Sequence, residues 1–269
     1  MDTQALLDLV EKAGDAIMVI YAQDIEVSTK DDDSPLTKAD LASHRVLTEG
    51  LARLTPEIPV FSEEGAQQPY AERRGWQRYW LIDPLDGTKE FINRNGEFTV
   101  NLALIEGHAA VFGIVGVPAQ GVLYWGDIRT GEAWRRAGDK VERIHTRDWQ
   151  VGEPLTVVAS RSHGGERLET YLEQLAGAFG SVDRTPVGSS LKLCILAEGR
   201  ADLYPRLGPT SEWDIAAAHA VLKAAGGDVW AASGDDLSYN AKESVLNPEF
   251  IAVADAKFGW RQKLPAVPA

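Results

Sequence analysis

Residues 79–91 are Tyr-Trp-Leu-Ile-Asp-Pro-Leu-Asp-Gly-Thr-Lys-Glu-Phe, an apolar run followed by two aspartates and a turn sequence. The first four residues predict a short buried strand. Pro84 cannot donate a hydrogen bond to a sheet, so we expect the strand to end at Asp83. Asp86 and Gly87 then predict a tight turn, because glycine tolerates the backbone geometry that such a turn needs.

Asp83, Asp86 and the hydroxyl of Thr88 would therefore crowd one strand end. Two unpaired carboxylates this close repel each other. A bound cation relieves the repulsion, and hard cations take oxygen ligands. An Asp-Gly pair alone is common in turns, but the whole string after an apolar strand favours a metal site.

The composition limits the class of protein. The chain has 269 residues, of which 44% are hydrophobic and 25% charged, as is typical of a soluble globular protein. Cys194 is the only cysteine, which excludes an internal disulfide and favours a reducing compartment. We see no secretory signal and no apolar stretch of membrane length, so we expect a cytoplasmic protein without a transmembrane segment. Attachment to the membrane surface stays open.

The net charge of −13 argues against a nucleic-acid polymer as the partner, because such binders carry a basic surface. An acidic protein that binds a phosphate ester needs a local source of positive charge. Metal ions held by carboxylates would supply that charge.

The first half of the chain predicts two helices and an antiparallel meander. Helix 3–26 has apolar residues at helical spacing, and a second helix begins at Thr37. The predicted strands are 98–105, 110–117, 122–125 and 132–134. The polar stretch 138–153 predicts a boundary between domains 1–150 and 151–269.

The second half alternates strands with helices, which predicts a partly parallel sheet covered by helices. The predicted strands are 155–159, 181–187, 201–204 and 250–253, and the predicted helices are 166–178, 189–198 and 212–225.

Three further acidic motifs have ordinary structural explanations when each is taken alone. Asp40 follows Thr37 at the spacing of a helix capping box. Glu63, in a Glu-Glu pair, is typical of a surface acid. Asp214, after Trp213, would complement the dipole of a helix in its first turn.

Together and in this order, the acidic motifs resemble those of the lithium-sensitive, magnesium-dependent phosphatases of the inositol monophosphatase superfamily. Haloacid-dehalogenase-type phosphatases use Asp-x-Asp-Gly-Thr, whereas the spacing here is Asp-x-x-Asp-Gly-Thr. We set that family aside because chance agreement of four separated motifs in order is very unlikely. Longer stretches are similar to the bacterial 3′(2′),5′-bisphosphate nucleotidases of the CysQ type. These stretches are 84–92, 94–101, 160–163, 188–192, 203–209 and 213–214.

The resemblance implies an α+β and α/β fold, a layered α/β/α/β/α sandwich with an antiparallel sheet in the N-terminal half and a mixed sheet in the C-terminal half. It also implies two or three magnesium ions. Their ligands would be Glu63, Asp83, the backbone carbonyl of Leu85, Asp86 and Asp214. Thr88 paired with Asp40 would orient and help deprotonate the attacking water, and Glu63 is the third implied catalytic residue.

The resemblance further implies the substrate contacts. Backbone amides at Gly87 and Thr88 would hold the phosphate, as helix N-termini do. The AMP part would lie against Ser189, Lys192 and Arg206, although local sequence alone would make the last two surface charges. The implied substrate-binding set is Glu63, Leu85, Asp86, Gly87, Thr88, Ser189, Lys192, Arg206 and Asp214, with Arg161 and His163 as weaker candidates.

These roles predict a phosphatase that converts the small molecule adenosine 3′,5′-bisphosphate to AMP and phosphate, in nucleotide recycling linked to sulfur assimilation. Two alternatives stay open: an inositol-phosphate or sugar-phosphate phosphatase of the same superfamily, and a non-catalytic phosphate-binding relative. Asp40 and Thr88 argue against the second, because a binder needs no pair that activates water. The sequence leaves the oligomeric state open.

Overall fold

The structure, a computed structural model, describes residues 1–23, 35–66, 68–160 and 165–268, without the side chains of 35–37 and 160. The predicted end of the first helix, the side chain of Thr37, Arg161 and His163 lie outside the described residues.

Two N-terminal helices form the first layer. They are α1 (Thr3–Tyr21) and α2 (Pro35–Leu54). The predicted apolar face of α1 is confirmed, because Leu6, Val10 and Ile17 are buried against the first sheet. Helix α2 begins two residues before the predicted Thr37.

The first sheet has seven strands in sequence order. They are β1 (Val60–Ser62), β2 (Arg78–Asp86), β3 (Thr99–Glu106), β4 (Ala109–Val117), β5 (Val122–Asp127), β6 (Glu132–Ala137) and β7 (Lys140–Ile144). The predicted antiparallel meander is confirmed from β3 to β6. The sheet differs from a purely antiparallel one because β1 pairs with β2 in parallel.

The prediction that the first central strand ends at Asp83 is wrong. Strand β2 continues to Asp86, with a shift of register between Asp83 and Asp86. The shift is a β-bulge, in which extra residues on one strand stand opposite fewer on its partner. A bulge tolerates Pro84 because the residue need not donate to the ladder there.

The second sheet has five strands in the order β11-β12-β10-β8-β9. They are β8 (Leu155–Ser160), β9 (Val182–Val187), β10 (Leu203–Arg206), β11 (Asp228–Ala231) and β12 (Phe250–Val253). Strand β8 pairs in parallel with β9 and β10, whereas β12 pairs antiparallel with β10 and β11. The predicted mixed sheet is confirmed.

Helices α6 (Leu191–Ala197) and α7 (Glu212–Ala225) lie between the two sheets. Helix α7 approaches β4 so closely that a Cβ on Gly113 would lie 2.1 Å from the carbonyl oxygen of Ala217. Helices α5 (Glu166–Phe179) and α8 (Trp260–Lys263) cover the outer face of the second sheet. The predicted α/β/α/β/α sandwich is confirmed. Two short helices, α3 (Tyr70–Arg73) and α4 (Thr88–Ile92), flank β2.

The polar stretch 138–153 contains strand β7, which the sequence did not predict. Four of its five residues are exposed or half-buried, so an edge strand forms there without the apolar alternation that strand prediction uses. The first sheet ends at Ile144 and the second begins at Leu155. The division into domains 1–150 and 151–269 stays a prediction. No helix among the described residues has the length and apolar character to span a membrane.

Candidate functional site

The bulge at the end of β2 positions the first two acidic residues. Asp83 is only 1% exposed, and its Oδ1 accepts a 3.0 Å hydrogen bond from the backbone N–H of Leu85. Ser43 on α2 donates a 2.8 Å hydrogen bond to the carbonyl oxygen of Pro84. Gly87 then has φ 101°, which favours glycine, and helix α4 begins at the next residue. The predicted tight turn is therefore present at Gly87, and the strand that precedes it is longer than predicted.

Three acidic residues from separate elements meet at this strand end. Glu63, Asp83 and Asp214 each place a carboxylate oxygen within 4.8 Å of the others. Glu63 follows β1, which lies beside β2, and its N–H donates to the carbonyl oxygen of Ile82 at 3.2 Å. Asp214 lies in the first turn of α7, where its Oδ2 accepts a 2.9 Å hydrogen bond from the N–H of Ser211.

The fold therefore gives Asp214 a structural role as well as its place in the cluster. Ser211 and Asp214 form a reciprocal capping box, in which the serine side chain accepts from the N–H of Asp214. The sequence explanation of Asp214 as a helix-terminal acid and its assignment to the acidic cluster are both compatible with this geometry.

The crowded carboxylates hold their protons far more strongly than ordinary acids do. Desolvation, followed by the charges of Glu63, Asp86 and Asp214, raises the pKa of Asp83 well above its usual range. Desolvation and the charge of Asp214 raise the pKa of Asp86 to about 7. Desolvation and nearby acids also raise the pKa of Glu63 and that of Asp214, each to about 6. Buried like charges of this kind need either protons or a cation.

The donor set of the cluster fits a hard metal ion. The side chains that converge are all carboxylates, and oxygen is the donor that such ions prefer. Asp83 is buried between two other carboxylates, and a metal ion bound there would compensate its charge. The residues present therefore suit the metal dependence that the sequence predicts.

Asp40 lies near this cluster, on α2. Desolvation raises its pKa to about 8, and the charges of Glu64 and Glu63 add to the effect. The hydroxyl-bearing Thr88 is exposed at the start of α4. Among the described residues there is no hydrogen bond between Asp40 and Thr88, so their catalytic pairing stays a prediction.

A cleft of about 300 Å³ joins the acidic cluster to the predicted nucleotide-binding residues. Apart from Asp40, every predicted site residue within the described part of the chain lines this cleft. They are Glu63, Asp83, Leu85, Asp86, Gly87, Thr88, Ser189, Lys192, Arg206 and Asp214. The individual metal, catalytic and substrate roles assigned to them stay predictions.

Lys192 is a buried cation beneath this cleft, only 6% exposed. Its Nζ donates a 2.6 Å hydrogen bond to the carbonyl oxygen of Ser189 and lies 5.6 Å from the ring centroid of Tyr204. Desolvation lowers the pKa of this lysine to about 8, although the charge of Asp86 opposes the change. The explanation of Lys192 as a surface charge is therefore wrong, because α6 buries it between the two sheets.

Arg206 ends strand β10 and is half-buried. One of its terminal nitrogens, Nη2, donates a 2.8 Å hydrogen bond to the carbonyl oxygen of Pro209, whereas its buried Nε has no partner among the described residues. Arg206 and Lys192 thus place two positive charges in the same cleft as the acidic cluster of a strongly acidic protein.

Sequence reasoning missed several residues that line the cleft. They are Lys89, Glu90, Ser190, Leu193, Tyr204, Thr210 and Ile215. Ser190 and Tyr204 stand inside stretches that resemble the nucleotidases, and Lys89 and Glu90 lie just after the turn. Their closeness in sequence to predicted site residues could have marked them as candidates. No local pattern marks Thr210.

Comparison with known protein families gives one match over most of the chain. The model of the inositol monophosphatase family matches residues 2–259. A Salmonella typhimurium protein named 3′(2′),5′-bisphosphate nucleotidase CysQ is 50% identical over 249 residues, 92% of this chain and 97% of that protein. An Escherichia coli protein of the same name is 49% identical over 244 residues, 90% of this chain and 95% of that protein.

Solved structures agree with the sequence comparisons. The crystal structure of CysQ from Bacteroides thetaiotaomicron, described as a bacterial member of the inositol monophosphatase family, is 43% identical with a TM-score of 0.86. The match covers 94% of this chain and 97% of that one. An inositol monophosphatase from Zymomonas mobilis is 25% identical with a TM-score of 0.77, covering 95% and 93% of the two chains.

Proposed function

The chain belongs to the inositol monophosphatase family, and from that premise we propose that it is a magnesium-dependent 3′(2′),5′-bisphosphate nucleotidase. Its substrate is adenosine 3′,5′-bisphosphate, which it converts to AMP and phosphate. Support comes from relatives of that name at about 50% identity over most of their length. The observation that carries the proposal is that a carboxylate cluster and a buried lysine line the same cleft.

Glu63, Asp83, Asp86, Asp214 and the backbone carbonyl of Leu85 would hold the magnesium ions. Bound there, the metal would supply positive charge for the phosphate oxygens and make water more acidic. The carboxylates then serve as ligands, so the reaction needs no covalent intermediate on the protein.

Asp40 and Thr88 act on the attacking water in this proposal. A general base works best when its pKa lies near the operating pH, and the pKa of Asp40 is raised to about 8. Thr88 begins α4 beside the phosphate position and would carry the proton from the water toward Asp40. The backbone amides of Gly87 and Thr88 stand at the start of α4 and would hold the phosphate oxygens.

In this proposal Lys192 and Arg206 hold the phosphate that is not cleaved. Lys192 is desolvated and is fixed under the turn at Ser189, and the half-buried Arg206 stands nearby. A charged hydrogen bond to phosphate is stronger at such sites than in water, and arginine can bind phosphate through two nitrogens. We place the activity in nucleotide recycling linked to sulfur assimilation, in the cytoplasm.

A substrate panel tests the proposal. The purified protein is assayed for phosphate release from adenosine 3′,5′-bisphosphate, 3′-AMP, inositol 1-phosphate and fructose 1,6-bisphosphate, each with and without magnesium. We expect the highest kcat/KM with the bisphosphate nucleotide, and AMP as the product together with phosphate. A higher kcat/KM with inositol 1-phosphate or fructose 1,6-bisphosphate would replace the nucleotidase assignment. Absence of turnover with all four would favour a phosphate-binding protein.

A further inference from the structure

Ser190 lines the cleft and is 4% exposed. Its backbone N–H donates a 2.6 Å hydrogen bond to Oδ2 of Asp86. Its hydroxyl lies 2.7 Å from Oδ1 of Asn101 and 2.9 Å from Oγ1 of Thr99. One residue of the β9–α6 turn therefore contacts three residues of the first sheet.

The chemistry of the groups fixes the direction of these bonds. A serine hydroxyl has one hydrogen, and the carbonyl oxygen of Asn101 can only accept. Ser190 therefore donates to Asn101, and Thr99 donates to Ser190. All three side chains are buried, so water does not compete with the chain of hydrogen bonds, and a lost partner would leave a buried polar group unsatisfied.

The two residues whose side chains contact the hydroxyl of Ser190 are the cross-strand partners of the two aspartates in the bulge. Asn101 pairs with Asp83 across β2 and β3, and Thr99 pairs with Asp86. The hydroxyl of Ser190 thus contacts the side chains of the residues opposite both aspartates, and its backbone N–H binds one of those aspartates, Asp86, directly. The bulge and the β9–α6 turn are held in a fixed relation by this one side chain and its N–H.

Neighbouring contacts make the turn stiff. Glu97 accepts a 2.7 Å hydrogen bond from the N–H of Gly188, and the hydroxyl of Ser189 donates to the carbonyl oxygen of Glu97. A Cβ on Gly188 would lie 2.4 Å from the side chain of Glu90, so the turn and α4 touch without spare room. Ser189 itself has φ 43°, an uncommon value for a residue other than glycine.

We propose that Ser190 is a positioning residue that sets the distance between the carboxylate cluster and Lys192, and thereby makes the enzyme select substrates with two phosphates. The inference rests on the proposed nucleotidase function. The ribose limits how far apart the two phosphates of the nucleotide can lie, so the carboxylate cluster and Lys192 can bind both at once only if the turn stays in place. A substrate with a single phosphate has no such requirement.

The matched pair Thr99→Val and Thr99→Ser provides the main test, because Thr99 is buried and does not line the cleft. The valine variant removes the hydroxyl that donates to Ser190, and the serine variant keeps it. We measure kcat and KM for adenosine 3′,5′-bisphosphate and for 3′-AMP, together with Tm. We expect Thr99→Val to lose roughly tenfold or more in kcat/KM for the bisphosphate, as small misplacements of binding groups do. The loss with 3′-AMP should be several times smaller.

The serine variant should keep the wild-type ratio of the two kcat/KM values, and Ser190→Ala should lower that ratio as Thr99→Val does. Equal losses on both substrates in Thr99→Val and in Ser190→Ala would overturn the inference, since a merely structural contact would affect both reactions alike. Wild-type kcat/KM values for both substrates in both variants would overturn it as well. A wild-type protein that does not prefer the bisphosphate over 3′-AMP would instead refute the proposed function, so the two failures are distinguishable.

Discussion

Asp83 and Asp214 present carboxylate oxygens within 4.8 Å of each other, although Asp83 belongs to the first sheet and Asp214 lies in the first turn of the helix between the sheets. Packing of α7 against the first sheet forces this approach. The charge of Asp214 is one of the causes that raise the pKa of Asp83. The folded chain therefore favours states in which a proton or a metal ion neutralises the pair.

Asp83→Asn should nearly abolish phosphate release while leaving the protein folded. The amide keeps an oxygen that can accept from the N–H of Leu85, but it removes a charge that a metal ion needs. Without metal, the substitution removes a buried carboxyl group that must take up a proton when the chain folds. It should therefore raise Tm by a few degrees, roughly the effect of 1 kcal/mol in a protein of this size. Activity assays and thermal unfolding with a chelator check both expectations.

Asp15→Asn makes the same chemical change at an exposed position of α1 and is the matched control. It should leave both turnover and Tm close to wild type. Turnover of Asp83→Asn near the wild-type rate at saturating magnesium would contradict the assignment of Asp83 as a ligand.

Magnesium should stabilise the protein much more at about pH 8 than at about pH 5. The pKa values of Asp86, Glu63 and Asp214 are raised to about 7, 6 and 6, above those of acids in an unfolded chain. Without metal, the stability that these groups contribute is therefore present at acid pH and lost as the pH rises through those values. Metal ions need the deprotonated form, so their benefit grows over the same pH range.

The measurement is Tm with and without millimolar magnesium across this range of pH. The rise of Tm caused by magnesium should increase with pH in the wild-type protein and become small at every pH in Asp83→Asn. A rise of the same size at acid and alkaline pH would show that the raised carboxylate pKa values do not govern metal binding.

Arg206→Ala should raise KM for adenosine 3′,5′-bisphosphate by roughly tenfold or more, the effect of losing a charged hydrogen bond of about 1.5–3 kcal/mol. Arg206 lines the cleft, and its guanidinium carries five N–H donors, more than its hydrogen bond to the carbonyl oxygen of Pro209 uses. Hydrolysis of inositol 1-phosphate, which lacks the second phosphate, should change little.

Kinetics with both substrates decide this prediction, with Arg200→Ala as the matched control. Arg200 is an exposed arginine that pairs with Glu198 away from the cleft, and its loss should leave both reactions unchanged. Equal losses on the two substrates in Arg206→Ala would assign Arg206 to general structure or catalysis.

Lithium should inhibit the enzyme at about 10 mM and above, because a small hard cation can occupy a site built from oxygen donors. The assay uses adenosine 3′,5′-bisphosphate with magnesium near its half-saturating concentration. Potassium at the same ionic strength is the control for screening of charges. Unchanged activity in lithium, relative to potassium, would count against the resemblance to the lithium-sensitive phosphatases.

Much of the fold follows from local sequence. Apolar spacing marks the buried face of α1, and alternation of strands and helices after Leu155 indicates the mixed sheet. Prediction from local sequence failed where the outcome depends on how a strand pairs with its neighbouring strand. Pro84 should end a strand, yet β3 pairs on both sides of it through a bulge. The edge strand β7 carries polar residues because little of it is covered.

The sequence by itself determined which acids are present, the two residues that stand between Asp83 and Asp86, and the resemblance to a family. Each of these depends only on residue identity and order. Tertiary structure alone decided that Lys192 is buried and that Ser190 binds the strand opposite both aspartates. A local pattern cannot report the burial of a lysine, because desolvation comes from packing two sheets around α6 and α7. The distance between Asp83 and Asp214 likewise exists only after those layers have assembled.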